Sequence, residues 1–167
     1  MRYKAVLFVA LLTLGVAGCG SDQASSPTSS SDTRSAILVA VEKGEYDGLR
    51  SLIDADTFLS DYGFGKEKDP VARWEAMGPK PLETMGVLLR MPHVVRETNE
   101  GTLYQWPKYG PDSRASDLTA EDRDLFRTVM SKEELDQLIL PELGYTGPRL
   151  GILDDGKWWF FILHGEG

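Results

Sequence analysis

Apolar and polar positions change texture four times along the chain. Ala5 to Ala17 is an uncharged, mostly apolar run of 13 residues, too short for the roughly 20 residues that a bilayer of ~30 Å hydrocarbon requires. Gly20 to Thr33 holds six serines, two threonines and a proline, with nothing larger than Gln23. Such a segment cannot bury enough surface to offset the entropy of ordering, and it reads as a flexible tether. Its root-mean-square span would be about 20 Å and its full reach about 50 Å. Helical spacing then begins. Asp32 or Thr33 can cap a helix through Ser35 to Lys43, stopped by Gly44. A short second helix from about Asp47 to Ile53 completes an αα-hairpin. Ile37, Ala40, Val41, Leu49, Leu52 and Ile53 form its apolar faces.

A third helix is framed by Asp69 as N-cap, Pro70 at the first position and Gly78-Pro79 as the stop. Pro81 opens a fourth, with Leu82, Met85, Leu88 and Leu89 on one face and Pro92 closing it. Beyond it the pattern turns extended. Val94 to Thr98 and Thr102 to Trp106, joined by Asn99-Glu100-Gly101, predict a hairpin that Pro107 ends. Tyr109 to Asp117 is a polar loop. Two capping boxes follow: Thr119 to Asp122 starts a helix to about Met130, and Ser131 to Glu134 a short one to Ile139. At the end, Asp154-Asp155-Gly156 separates Pro148 to Leu153 from Lys157 to Leu163, a strong hairpin signal. Trp158 to Leu163 has no polar residue on either face. It is therefore a strand covered on both sides, or one that displays Trp158/Phe160/Ile162 or Trp159/Phe161/Leu163 as a recognition surface. These elements predict an α+β domain with helices packed on a small antiparallel sheet.

Composition narrows the function. The 167 residues carry 18 Lys and Arg against 26 Asp and Glu, a formal charge of -8, which argues against nucleic acid as a partner because phosphate contacts need a basic face. One cysteine excludes an internal disulfide and multi-cysteine metal sites, and His93 and His164 stand far apart in sequence. No metal and no cofactor are expected. Asp54, Asp56 and Asp61 lack the glycine and terminal glutamate of a calcium loop and read as caps or turns.

Arg2 and Lys4 precede the apolar run, and Val16-Ala17-Gly18-Cys19 follows it. This segment resembles the signal peptide and lipobox of bacterial lipoproteins. The resemblance implies cleavage before Cys19, acylation of that cysteine, and stable attachment to a bacterial membrane through two or more chains. It does not choose between inner, outer or sole membrane. The chain thus divides into a signal peptide (1–18), an acylated cysteine with its tether (19–33) and one globular domain (34–167). The part from Cys19 onward has 16 Lys and Arg against 26 acids. Such a surplus repels anionic headgroups, and the domain is expected to stand off the membrane.

No nucleophile elbow, zinc-protease helix or phosphate loop occurs in the chain, and no residue is assigned a catalytic role. Candidate ligand-binding residues are His93, Tyr104, Trp106, Arg149, Trp158 and Trp159. Ile37 to Trp74 resembles the opening of cone-shaped proteins related to nuclear transport factor 2, a fold that wraps a curved sheet around a pocket. Tyr104 to Pro107, Gly144 to Gly147, and Arg149 to Ile152 with Gly156 to Phe161 resemble a family of uncharacterised exported bacterial proteins. The reading that follows is a non-catalytic, lipid-anchored envelope protein that binds a partner or a small ligand. Two alternatives compete with it: an envelope enzyme with a pocket around His93, Tyr104, Trp106 and Arg149, and a phage-borne lipoprotein that blocks a surface receptor.

Overall fold

The computed structural model describes residues 27–61, 63–64 and 68–163. The expected signal peptide, Cys19, most of the expected tether and His164 lie outside the described residues. Helix α1 (Ser30–Lys43) starts five residues before the expected Ser35. Ser29, not Asp32 or Thr33, is its N-cap. The Ser29 hydroxyl accepts from the Asp32 N–H at 3.2 Å and donates to the Asp32 carboxylate at 2.8 Å, satisfying donors that a helix start leaves open. Thr33 is fully buried and its hydroxyl donates to the Gly156 carbonyl. Residues 30–33, assigned above to the tether, therefore belong to the folded domain. Gly44 closes α1 in the left-handed region, with φ of 67°.

Helices α2 (Asp47–Arg50), α3 (Pro70–Ala76) and α4 (Lys80–Leu88) follow. Asp69 caps α3 by accepting from the Ala72 N–H at 2.9 Å. Where α1 crosses α4, Gly86 provides the room, since a Cβ there would meet a Val41 methyl at 2.7 Å. The strands are β1 (Leu59–Ser60), β2 (Gly63–Phe64), β3 (Val94–Thr98), β4 (Gly101–Trp106), β5 (Ile139–Leu140), β6 (Gly144–Tyr145), β7 (Arg149–Leu153) and β8 (Trp158–Ile162). Helices α5 (Ala120–Phe126) and α6 (Lys132–Asp136) lie between β4 and β5.

The fold is α+β. Among the described residues, six strands form one sheet in the order β2-β1-β8-β7-β4-β3, antiparallel except for β1 beside β8, and β5-β6 form a separate hairpin. Both expected hairpins, β3-β4 and β7-β8, are present, and β8 is an interior strand. The short strands β1, β2, β5 and β6 were not anticipated. Helices α1 and α4 pack on β7, and one core joins Ile37, Leu49, Trp74, Met85 and Leu88 to Leu150, Ile152, Trp158 and Phe161.

A bulge in β8 overturns the expected face assignment. Gly151 pairs with Phe160 while Ile152 pairs with Trp158, so Trp159 is the extra residue. Alternation shifts by one, and the faces become Trp158, Phe161 and Leu163 toward the helices, with Trp159, Phe160 and Ile162 on the other side. The Trp158 indole N–H donates to the Phe160 carbonyl at 3.0 Å across the bulge. On the outer face the Phe160 ring lies over Gly151, the space a side chain there would occupy.

Candidate functional site

An apolar groove of about 390 Å³ lies beside the end of β8. Six segments meet there. Met77 follows α3, and Lys80 and Thr84 come from α4. Met130, Glu134 and Leu138 come from α5, α6 and their flanks. The β5-β6 hairpin gives Leu140, Leu143 and Thr146, Pro148 leads into β7, and Leu163 closes the floor. Met77 and Leu143 stand on the lips, 39% and 50% exposed. Large aliphatic groups left this open at a concave site are a signature of binding surfaces.

Local bonds fix each wall. Ser131 and Glu134 form the expected capping box: the Ser131 N–H donates to the Glu134 carboxylate at 2.7 Å, and the Glu134 N–H to the Ser131 hydroxyl at 3.2 Å. The second Glu134 oxygen accepts from Lys80 Nζ at 3.1 Å, joining the starts of α4 and α6 across the rim. The cap first, and Lys80 second, hold the Glu134 carboxyl below its ordinary range. Thr84 donates back to the Lys80 carbonyl at 2.8 Å. The hairpin wall is held by the Thr146 N–H on the Leu138 carbonyl at 2.8 Å and by the Tyr145 N–H on the Gly110 carbonyl at 3.0 Å. Gly144 has φ of 68° and sits against the Pro111 backbone, where a Cβ has no room.

Three of the sequence-selected residues come together elsewhere. The His93 ring lies 5.1 Å from Trp106 and 5.7 Å from Tyr104. They line a cleft of about 280 Å³ with Ser30, Ser31, Arg34, Arg90 and Met91. Arg34 Nη2 donates to the Leu89 carbonyl at 2.6 Å, which fixes one wall. Arg149 is not among the residues that line this cleft. It begins β7 opposite Ile162, with its Nε buried and lacking a hydrogen-bond partner among the described residues. Its guanidinium favours ionisation of Tyr145, but burial outweighs it and pushes that phenol well up. Trp158 is core, ringed by Phe58 at 5.4 Å and Trp74 at 5.7 Å. Trp159 is half-buried on the outer sheet face.

Other polar clusters are structural. Tyr109 donates to the buried Asp122 carboxylate, which also accepts from the Thr119 hydroxyl at 2.7 Å. Burial, then Asp122, pushes the Tyr109 phenol up. Asp54 caps a turn through Asp56 and Thr57, while Asp61 accepts from the Leu163 N–H at 2.8 Å, so these acids serve separate backbone sites.

The groove residues escaped the sequence reading because they come from three stretches, 77–84, 130–148 and Leu163, that are far apart in sequence and meet only in the folded chain. A signal was nevertheless present: Met77, Met130 and Leu143 fall outside every periodic apolar face, at the ends of helices or in a turn. No family model, curated protein or solved structure matches the chain, so its function rests on this geometry.

Proposed function

We propose that this is a cell-envelope protein, anchored to a bacterial membrane by lipid on Cys19, whose folded domain binds an amphipathic small molecule in the groove between α4, α6 and the β5-β6 hairpin. The observation that carries the ligand reading is the groove itself, about 390 Å³ with Met77 and Leu143 open on its lips. That volume falls in the range of small-molecule sites, which are apolar with a few fixed polar groups. Here Lys80, Glu134 and Gln137 supply the polar rim. The hydroxyl of Thr84 and the carboxylate of Glu134 are already engaged in bonds that hold the walls, which favours binding over covalent chemistry. The anchor rests on Val16-Ala17-Gly18-Cys19 behind a basic and apolar leader.

Methionine methyl groups offer a direct test. Met77 and Met130 line the groove, whereas Met85 is core and Met91 lines the other cleft. With ¹³C-methyl methionine, octanoate should shift Met77 and Met130 in a saturable way and leave Met85 and Met91 in place. Leu143→Asp should abolish the response. Shifts spread over all four methyls, or none at Met77 and Met130, would contradict the proposal.

A further inference from the structure

The cleft beneath His93 differs in charge from the rest of the molecule. Among the described residues, Arg34 and Arg90 line it together with the His93 imidazole, and no carboxylate does. Three other clefts among the described residues each include at least one acid: Glu134, Asp69, or Glu75 with Glu83. In a chain with 26 acids against 18 bases, an acid-free pocket with two guanidiniums is a local reversal of the field. Arg90 is exposed and makes no ion pair among the described residues. Asp32, which follows Ser31 on α1, keeps its charge in the helix cap, where the Ser29 and Thr28 hydroxyls donate to its carboxylate, and this one acid leaves the two guanidiniums in excess. Tyr104 and Trp106 add an aromatic floor. Amphipathic rings of this kind are favoured at the level of lipid headgroups.

Position decides between sources of anion. Ser30 and Ser31 form one lip of the cleft, and the chain from Cys19 arrives there. Nine residues separate Cys19 from Ser29, a span of at most about 35 Å. We infer that this cleft docks on the anionic headgroups of the membrane that holds the anchor, turning the domain to a fixed side; the inference rests on the lipid-anchor reading. The overall negative charge, expected to hold the domain off the membrane, opposes it only at short range. Screening limits electrostatics to about 8 Å at physiological ionic strength, so the bilayer senses the cleft and little of the acidic surface beyond it.

The test uses the full acylated protein reconstituted in vesicles, with Ser31→Cys carrying an environment-sensitive dye; acylation leaves no thiol on Cys19 to compete. Headgroup-nitroxide lipid reports contact by quenching. In vesicles with about a third phosphatidylglycerol the dye should be quenched, and in pure phosphatidylcholine or high salt it should not. A basic side chain near such a surface is worth about fivefold in the docked population. Arg90→Glu should thus lower that population roughly twentyfold or more, and Arg90→Lys should keep it. Arg90 is exposed, so neither change disturbs the core. Equal quenching in both vesicle types, or indifference to Arg90→Glu, would overturn the inference. So would a dye response to millimolar inorganic phosphate without quenching by vesicles, which would assign the cleft to a soluble anion. Flotation with neutral vesicles reads the anchor separately: protein that floats but is not quenched overturns the docking alone, and protein that fails to float overturns both.

Discussion

Replacing Trp158 or Trp159 by alanine separates the bulged strand from a regular one. Trp158 is fully buried, touches the rings of Phe58, Trp74 and Phe161, and has its indole N–H satisfied. Its truncation leaves a cavity at the centre of the core and should cost about 3 to 5 kcal/mol, as large-to-small aromatic changes do. Trp159 is half-buried beside Phe160, with ring centroids 5.9 Å apart. About half of the burial energy of a large side chain is at stake there, roughly 1 to 1.5 kcal/mol. Urea unfolding followed by far-ultraviolet circular dichroism measures both without relying on tryptophan emission. With a slope of about 2 kcal/mol/M, the midpoint should fall by about 2 M for Trp158→Ala and by about 0.6 M for Trp159→Ala. Two neighbours sharpen the contrast. Phe161→Ala should group with Trp158→Ala, and Ile162→Ala with Trp159→Ala. Regular alternation would instead place Phe161 with Trp159, and that grouping would refute the bulge.

Other outcomes follow from the same contacts. A chain starting at Arg34 loses the Ser29 cap and the Thr33 bond to Gly156; it should be about 2 to 3 kcal/mol less stable than one starting at Pro27, and equal thermal midpoints would count against the packing of residues 27–33. Gly151→Val drives a side chain into the Phe160 ring and should cost about 1 to 3 kcal/mol as an overpacked site; an unchanged urea midpoint would show that the ring lies elsewhere. Glu134 has its pKa depressed from 4.5, so its contribution is complete above that ordinary value and is lost as pH falls through the folded one. Because the side chain is 46% exposed, the effect is discounted to under about 1 kcal/mol: wild type should exceed Glu134→Gln in stability at neutral pH, and the difference should vanish in acid.

Much of the fold was legible because its signals are local. Asp69-Pro70, Ser131 to Glu134 and Asp154 to Gly156 are caps and turns whose chemistry acts over a few residues, and α3, α6 and β7-β8 appear where those residues place them. The start of α1 lies earlier than expected because serine serves equally as linker and as N-cap, and the Gly156 carbonyl that holds the Thr33 hydroxyl is distant in sequence. β1, β2, β5 and β6 span two residues each, too short to show a period, and β1 joins the main sheet only through β8, some hundred residues away. The bulge was invisible for a related reason: six consecutive apolar residues read alike in either register. Of the candidate site, His93, Tyr104 and Trp106 could be grouped because β3 and β4 are adjacent in sequence. Arg149 belongs to a different strand, and the groove is assembled from six segments that no spacing rule connects.

The claim that the groove binds an amphipathic molecule is tested most directly by what the protein carries when it is purified from the cells that make it. Wild type and the double variant Met77→Asp, Leu143→Asp would be purified side by side, and their solvent extracts compared by mass spectrometry. Both substitutions lie at exposed positions, so the fold should be kept while the lips of the groove become charged. Membrane lipids that merely follow the proposed anchor will appear equally in both. The expected result is one amphiphile present at near one equivalent on wild type and depleted in the variant. Identical extracts from two equally folded proteins would contradict the assignment.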